Sequence, residues 1–202
     1  MVTIYPGEWK TRWNEYFSGN CNEDPILFVL TGLPGSGKST WAQLEANTAP
    51  TEYTIVSTDY FLEQSARDSG KDYEWAFVHC FKDAKRRAMA QVRNATKERK
   101  NIIWDQTNMT AKSRRRALAN VGRGYHKIVI GFEVADMELR KRLAARRTIT
   151  GKFIPPEVIK NFQNVFEPPS LDEGFEKMFC NSGPEYDTTI QKMLGERTHA
   201  DV

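Results

Sequence analysis

The sequence predicts an α/β protein: a three-layer sandwich with a mostly parallel central sheet, helices on both faces and a helical lid. Three observations support this reading. Short apolar runs without alternation recur along the chain, as expected of strands covered on both faces. Longer segments with helical spacing separate them, the order of a parallel sheet wound with helices. A Gly-rich turn, residues 31–37, joins the first apolar run to the first helical segment. Parallel sheets place their ligands at that end of a strand.

The elements follow in order. Residues 1–24 read as a helical appendage, with Trp9, Trp13 and Tyr16 or Phe17 at helical spacing. This stripe suits docking on the domain, a nucleic-acid stacking platform or a dimer contact. Residues 26–30 form the first strand and 38–46 a helix. Tyr53–Val56 form the second strand, and the polar stretch 62–72 reads as a loop. Residues 75–97 have a helical pattern in which Trp75, Val78, His79, Phe81, Ala84, Ala88, Met89 and Val92 share a broad apolar face. Residues 101–105 give a third strand, Ala111–Val121 a short basic helix and 127–132 a fourth strand. Asp136 is placed to cap a helix running through Leu139, Leu143 and Arg147. A Gly-Lys turn follows, and Pro155 fits the first turn of a helix over 156–165. Residues 177–180 give a last strand. The core domain is therefore expected over 25–183, with a polar tail over 184–202.

Composition narrows the function classes. The chain has 202 residues, 40% hydrophobic and 27% charged, with a net charge of +3. That suits a globular domain, and any polyanion-binding surface must come from local clustering rather than net charge. Three cysteines, Cys21, Cys80 and Cys180, form no C-x-x-C pair and read as reduced thiols. No basic-then-apolar leader and no long apolar run occur. The expectation is a soluble intracellular protein in a reducing compartment, with no membrane partner; oligomeric state is left open.

The strongest chemical signal is Gly32-Leu33-Pro34-Gly35-Ser36-Gly37-Lys38-Ser39, followed by Thr40. It matches G-x-x-x-x-G-K-[ST], the phosphate-binding P-loop, in the right strand–turn–helix setting. Glycines let successive N–H groups turn inward onto phosphate oxygens, and the following helix adds its positive end. Lys38 would carry charge to the β- and γ-phosphates, and the Ser39 hydroxyl would ligate Mg²⁺. The fold expected is thus a P-loop NTPase with ATP or another NTP and Mg²⁺ as ligands. Gly32, Pro34, Gly35, Ser36, Gly37, Lys38, Ser39 and Thr40 are the candidate contacts.

Two carboxylates follow neighbouring strands. Phosphoryl transfer needs a group to orient the attacking oxygen and another to hold the metal shell. Asp59 is assigned as the general base and Asp105 as the acid near Mg²⁺, each with a turn or cap role as the alternative. Arg140, Arg142, Arg146 and Arg147 lie on one helical segment, and Arg142 and Arg146 share a face. An arginine on a closing lid can neutralise charge on the transferred group; Arg146 is the candidate catalytic residue and Arg142 a nucleotide contact. Two basic clusters, at 82–87 and 112–116, suit either solvated faces or a groove along a phosphodiester backbone.

Gly32 to Thr40, Ser57-Thr58-Asp59, Asp105-Gln106-Thr107-Asn108 and the segment 166–175 (F-E-P-P-S-L-D-E-G-F) occur in this order. Together they resemble the kinase domain of polynucleotide 5′-hydroxyl kinases from phages and animals, over about residues 26–180. The resemblance implies transfer of the γ-phosphate of ATP to a DNA or RNA 5′-hydroxyl. It also implies Asp59 as general base, Asp105 as the acid after the third core strand and Arg146 as the lid arginine. The chain departs from that family at Thr58, where arginine is common, and at Leu62, where phage-type members carry an acceptor-contacting arginine. No D-x-D-x-T motif occurs, so no 3′-end processing domain is expected. The P-loop and Asp105-Gln106-Thr107-Asn108 also resemble the kinase-like domain of heterogeneous nuclear ribonucleoprotein U. The expected partner is therefore a nucleic-acid 5′ end. The alternatives are a kinase of a nucleoside, modified base, tRNA-linked amino acid or small metabolite, or a nucleotide-dependent RNA-binding module.

Overall fold

A computed structural model describes residues 2–3, 24–49 and 51–182. Its six strands are β1 (Val2–Thr3), β2 (Ile26–Gly32), β3 (Tyr53–Val56), β4 (Asn101–Trp104), β5 (His126–Glu133) and β6 (Lys177–Ser182). They form one sheet of order β1-β6-β5-β2-β4-β3, and every pair is parallel. The central strand β2 runs in register with β5 from Ile26 opposite His126 to Gly32 opposite Phe132.

The missing alternation in β2 has a direct cause. Leu27 and Val29 belong to the cluster on one sheet face, and Phe28 and Leu30 to the cluster on the other. All four are fully buried, so neither face calls for polar residues. The first face is covered by α3 (Tyr73–Lys97) and α4 (Ala111–Val121), through Ala88, Val92, Ala95, Ala117, Leu118 and Val121. The second is covered by α1 (Lys38–Thr48), whose Trp41 packs edge-on to Phe28 at 5.4 Å. The three-layer P-loop NTPase fold is as the sequence predicts, with a sheet that is wholly rather than mostly parallel.

Several expectations are corrected. Residues 62–72 do not form a loop: α2 runs Thr58–Ser69, capped by the Ser57 hydroxyl and ended by Gly70 in the left-handed region. Its buried apolar seam is Leu62 and Ala66, packed with Ala76 and Ala84 of α3 and flanked by the partly buried Phe61, and most of its other residues are polar. The buried side of α3 is alanine-rich (Ala76, Ala84, Ala88, Val92, Ala95), which lets the helix approach closely. Val78, His79 and Phe81 stand outside that face, with Phe81 40% and Val78 69% exposed. Asp136 does not cap its helix; α5 (Asp136–Thr150) is preceded by Ala135 with no side-chain cap, and Asp136 lies in the first turn. The last helix, α6, is Pro156–Asn164 and buries none of its residues. Of the expected helical appendage over 1–24, Val2 and Thr3 form a strand beside β6, and residues 4–23 lie outside the described residues. The polar tail over 184–202 lies outside them as well.

Candidate active site

The P-loop is shaped by close approach. Gly32 has φ +151°, and a Cβ there would meet the Phe132 carbonyl oxygen at 2.6 Å. Only glycine lets β2 turn away from β5 at this point. Gly37, also in the left-handed region, starts α1 with no side-chain cap and no acidic residue in the first turn. The first N–H groups of α1 are thereby left for an anion. The Lys38 ammonium donates to the Gly32 and Leu33 carbonyls, both at 2.8 Å, and to Ser36 Oγ at 3.4 Å. Burial pushes its pKa down to about 8, against the opposing pull of the Asp105 and Asp59 carboxylates.

The loop after β4 is tied to the P-loop strand. The Asn108 side chain donates to the Leu30 carbonyl at 2.7 Å, the Thr31 hydroxyl donates to the Asn108 carbonyl at 2.9 Å, and the Gly32 N–H donates to the Thr107 carbonyl at 3.0 Å. Asn108 itself sits at φ 44°, a conformation asparagine tolerates. These bonds fix Asp105, buried directly after β4, against the Ser39 hydroxyl. Burial raises the Asp105 pKa, opposed by the Ser39 hydrogen bond and the Lys38 charge.

Arg114 explains why the loop holds and why the 166–175 segment accompanies it. Rather than joining a basic groove, it is fully buried, paired with Glu173 through Nε at 2.8 Å and Nη2 at 2.7 Å. Its Nη1 also donates to the Asn108 carbonyl at 3.0 Å. Glu167 accepts from the Ala111 N–H at 2.6 Å, anchoring the start of α4.

Asp59 does not end a strand. It lies in the first turn of α2, where the helix end favours its charge. Its Oδ1 accepts from the Tyr73 hydroxyl at 2.9 Å, and its Oδ2 accepts from the Lys152 ammonium. Asp72 caps α3 and so places Tyr73 at the helix start. Lys152 follows Gly151, whose left-handed φ of 69° ends α5 and turns the chain back into the cleft. The lysine is 4% exposed, lies 3.9 Å over the Tyr73 ring and approaches Glu63 at 3.5 Å. The Asp59 side chain keeps 53% of its exposure although protein surrounds it. The cleft's burial pushes its pKa up, but Lys152, Tyr73 and Arg146 outweigh this, and the carboxyl is held below its ordinary range.

The lid helix α5 closes one side. Arg142 Nη1 lies 3.4 Å from the Ser36 carbonyl and its Nε pairs with Glu138 at 2.8 Å. Arg146 lies 3.7 Å from Glu63, on the Asp59 side. Arg147 instead stacks over Phe153.

A cleft of about 1540 Å³ takes in these groups. Asp59, Lys38, Arg146, Pro34, Gly35, Ser36, Gly37, Ser39, Thr40, Asp105 and Arg142 all line it; Gly32 does not, being buried under Phe132. Lys152, Tyr73 and Glu63 were not singled out from sequence; a lone lysine between a helix-ending glycine and Phe153-Ile154 was the available signal. Leu62 is fully buried and does not line the cleft; Thr58 does line it, and its hydroxyl accepts from Gln106 at 3.1 Å. Among the described residues no group of three or more His, Cys, Asp or Glu could hold a metal, and no helix is long and apolar enough to cross a membrane.

Comparisons with known proteins fit this geometry. Residues 27–169 match the family described as an AAA domain. Heterogeneous nuclear ribonucleoprotein U-like protein 2 of Homo sapiens is 24% identical over 151 residues, 73% of this chain and 20% of that protein. A chain of the solved Pnkp1/Rnl/Hen1 RNA repair complex is 28% identical with a TM-score of 0.58, over 73% of this chain and 46% of that one. A putative kinase from Chloroflexus aurantiacus shares the fold at a TM-score of 0.60 and 17% identity, over 89% of this chain and 98% of that one. The chain thus spans a fifth of the ribonucleoprotein and under half of the repair-complex chain. By its matched residues the chain belongs to the AAA-domain family, and its cradle and sheet are those of a P-loop NTPase fold.

Proposed function

We propose that the chain transfers the γ-phosphate of ATP to the 5′-hydroxyl of a nucleic acid. The carrying observation is the placement of Asp59 on the same cleft as Lys38 and Ser39, half exposed and held by Tyr73 and Lys152. At about 1540 Å³ the cleft exceeds the roughly 300–1,000 Å³ of a single small-ligand site, leaving room for donor and acceptor together. The 28% identity to a chain of an RNA repair complex supports the same acceptor class.

In this reading the P-loop amides and Lys38 grip the triphosphate, and Arg142 reaches its edge from the lid. Asp59 orients the incoming hydroxyl and accepts its proton, which requires Oδ2 to loosen from Lys152. The released ammonium, with Arg146, faces the charge of the transferred group. Ser39 and Asp105 are the oxygen donors that would hold Mg²⁺, a hard cation bound through few protein ligands plus phosphates. The ion would neutralise the phosphate oxygens.

A second reading, nucleotide-dependent RNA binding without transfer, is favoured by one observation: Asp59 is closed into an ion pair. γ-Labelled ATP with 5′-hydroxyl DNA and RNA oligonucleotides separates the two. Label should pass to the 5′ end, and Asp59→Asn should lower the rate at least ~100-fold. Label on neither polymer refutes the transfer reading, and an unchanged rate in the variant refutes the role of Asp59.

A further inference from the structure

The cleft continues past Asp59 along one row of α3. Tyr73, Phe77, Phe81 and Lys85 follow one another at four-residue spacing, so they lie on one stripe of the helix. The rings of Tyr73 and Phe77 are 6.3 Å apart, and those of Phe77 and Phe81 are 5.3 Å apart. Phe77 and Phe81 are 50% and 40% exposed, and both line the cleft. An alanine-rich helix that buries its small residues and leaves two phenylalanines facing a cleft is not explained by packing.

The stripe ends at a second depression. Phe81 and Thr58 belong to its wall, with Lys85 from α3 and Arg116 from α4. The two basic clusters thus meet there through one cation each, whereas Arg86 pairs with Asp83, Arg87 donates to Gln64, and Arg114 is buried. Trp104 lines the same depression, and its buried indole N–H has no acceptor in the protein. A buried donor without a partner is costly and calls for an oxygen from elsewhere.

We propose that this stripe is the acceptor track: a single-stranded nucleic acid enters with its 5′-hydroxyl at Asp59, stacks bases on Phe77 and Phe81, and sets a downstream phosphate between Lys85 and Arg116. The inference rests on the transfer reading of the cleft and adds the strand state and polarity of the acceptor. Aromatic faces need unstacked bases, so an open strand fits where a paired end does not. Tyr73 to Lys85 spans twelve residues, about 18 Å of helix. That length sets the most the stripe can hold, about five nucleotides at a stacked rise of about 3.4 Å; the path from Asp59 is shorter, because Thr58 beside it also walls the far depression.

The test uses the full chain with 3′-fluorescein oligonucleotides of two to ten nucleotides, as DNA and RNA, single-stranded and blunt duplex. Anisotropy reads binding and γ-labelled ATP reads transfer. Affinity should climb with length and level off by about five nucleotides. Phe77→Ala/Phe81→Ala should weaken oligonucleotide binding at least ~10-fold, stacking on each ring contributing several-fold, with ATP affinity and melting temperature unchanged. Lys85→Ala/Arg116→Ala should flatten the log–log salt slope by about 0.7, the value for one phosphate contact on a single strand. Binding that depends on both pairs without any label transfer would uphold the track and refute the transfer reading alone. Transfer whose KM ignores Phe77→Ala/Phe81→Ala, equal binding of blunt duplex, or no oligonucleotide binding by the wild type would overturn the track. A dimer broken by the same substitutions, with no oligonucleotide bound, would overturn it in favour of a second copy of the chain.

Discussion

Replacing Arg114 by methionine tests whether the segment at 166–175 serves the site through structure rather than through substrate contact. The substitution keeps the volume of the side chain but leaves Glu173, whose side chain is 3% exposed, as an uncompensated buried charge. It also removes the donors that reach the Asn108 carbonyl at 3.0 Å and the Pro168 carbonyl at 3.3 Å. Breaking one side of a buried ion pair costs about 3–5 kcal/mol. For a chain of this length each kcal/mol moves the melting temperature about 2–4 °C, so a fall of roughly 6–20 °C is expected. Arg114→Met/Glu173→Leu removes both charges and should recover most of that loss, to within about 2 kcal/mol of wild type. Part of the remainder is the Ser170 N–H, which donates to Glu173 Oε1 at 3.0 Å and loses its acceptor. Urea and thermal melts of the four proteins give the coupling directly. The same melts with nucleotide added report on the loop: once Asn108 is freed, Asp105 is less firmly held, and the stabilisation by ATP should shrink in Arg114→Met. A single substitution costing under about 1 kcal/mol, or a double variant as unstable as the sum of the singles, would refute the reasoning.

Three further outcomes are expected. With its carboxyl held below the ordinary range by Lys152 and Tyr73, Asp59 is ionised through neutral pH, so its own contribution to the pH–rate profile should be a single fall in acid. The stability it adds is present above the unfolded carboxylate value of about 4 and is lost as pH falls through the depressed folded value. Lys152→Met should move the acid limb of the pH–rate profile to higher pH, and an unmoved limb would dismiss the pairing. Lys38→Met should abolish the rise in melting temperature that ATP gives the wild type, since mass action acts only through binding; a retained rise would displace the cradle. Gly32→Ala, which sets a Cβ 2.6 Å from the Phe132 carbonyl oxygen at φ +151°, should lower stability by about 1–3 kcal/mol and weaken ATP binding, and neutral behaviour in both assays would contradict the close approach.

The sheet was legible because its signal is local. Runs such as Ile102-Ile103-Trp104 are apolar on both faces, and in the sheet Ile102 and Trp104 join one core cluster and Ile103 the other. Helix α2 was not legible for the opposite reason: its buried apolar residues are only Leu62 and Ala66, with Phe61 partly buried beside them, and most of its other residues are polar. Its caps, Ser57 and Gly70, were the stronger signal and point to its true bounds. In α3 the misassigned face has one physical cause. Aromatic residues at helical spacing read as core; Trp75 does pack there, but alanines and Val92 form most of the seam and Phe81 is left to the cleft.

The P-loop was legible because one continuous segment makes it, whereas the Asp59 end of the cleft gathers groups far apart in the chain. Asp59 and Tyr73 come from the starts of two helices and Lys152 from the turn after a third, and no spacing rule links position 59 to 152. The lid shows how such distant groups act together. Leu139, Arg142, Leu143 and Arg146 fall at helical positions i, i+3, i+4 and i+7 and so share one face of α5. At Gly35 a Cβ would stand 3.0 Å from the Leu143 side chain and 3.1 Å from that of Leu139, so the P-loop backbone rests directly on the leucine side chains of α5. Arg142 reaches Ser36 from that face, Arg146 reaches Glu63, and Lys152 at the end of the same helix holds Asp59. A shift of α5 against Gly35 therefore moves the cations at the donor and acceptor ends together. On the transfer reading proposed above, a triphosphate that shifts α5 would also shift the Lys152 contact that holds Asp59.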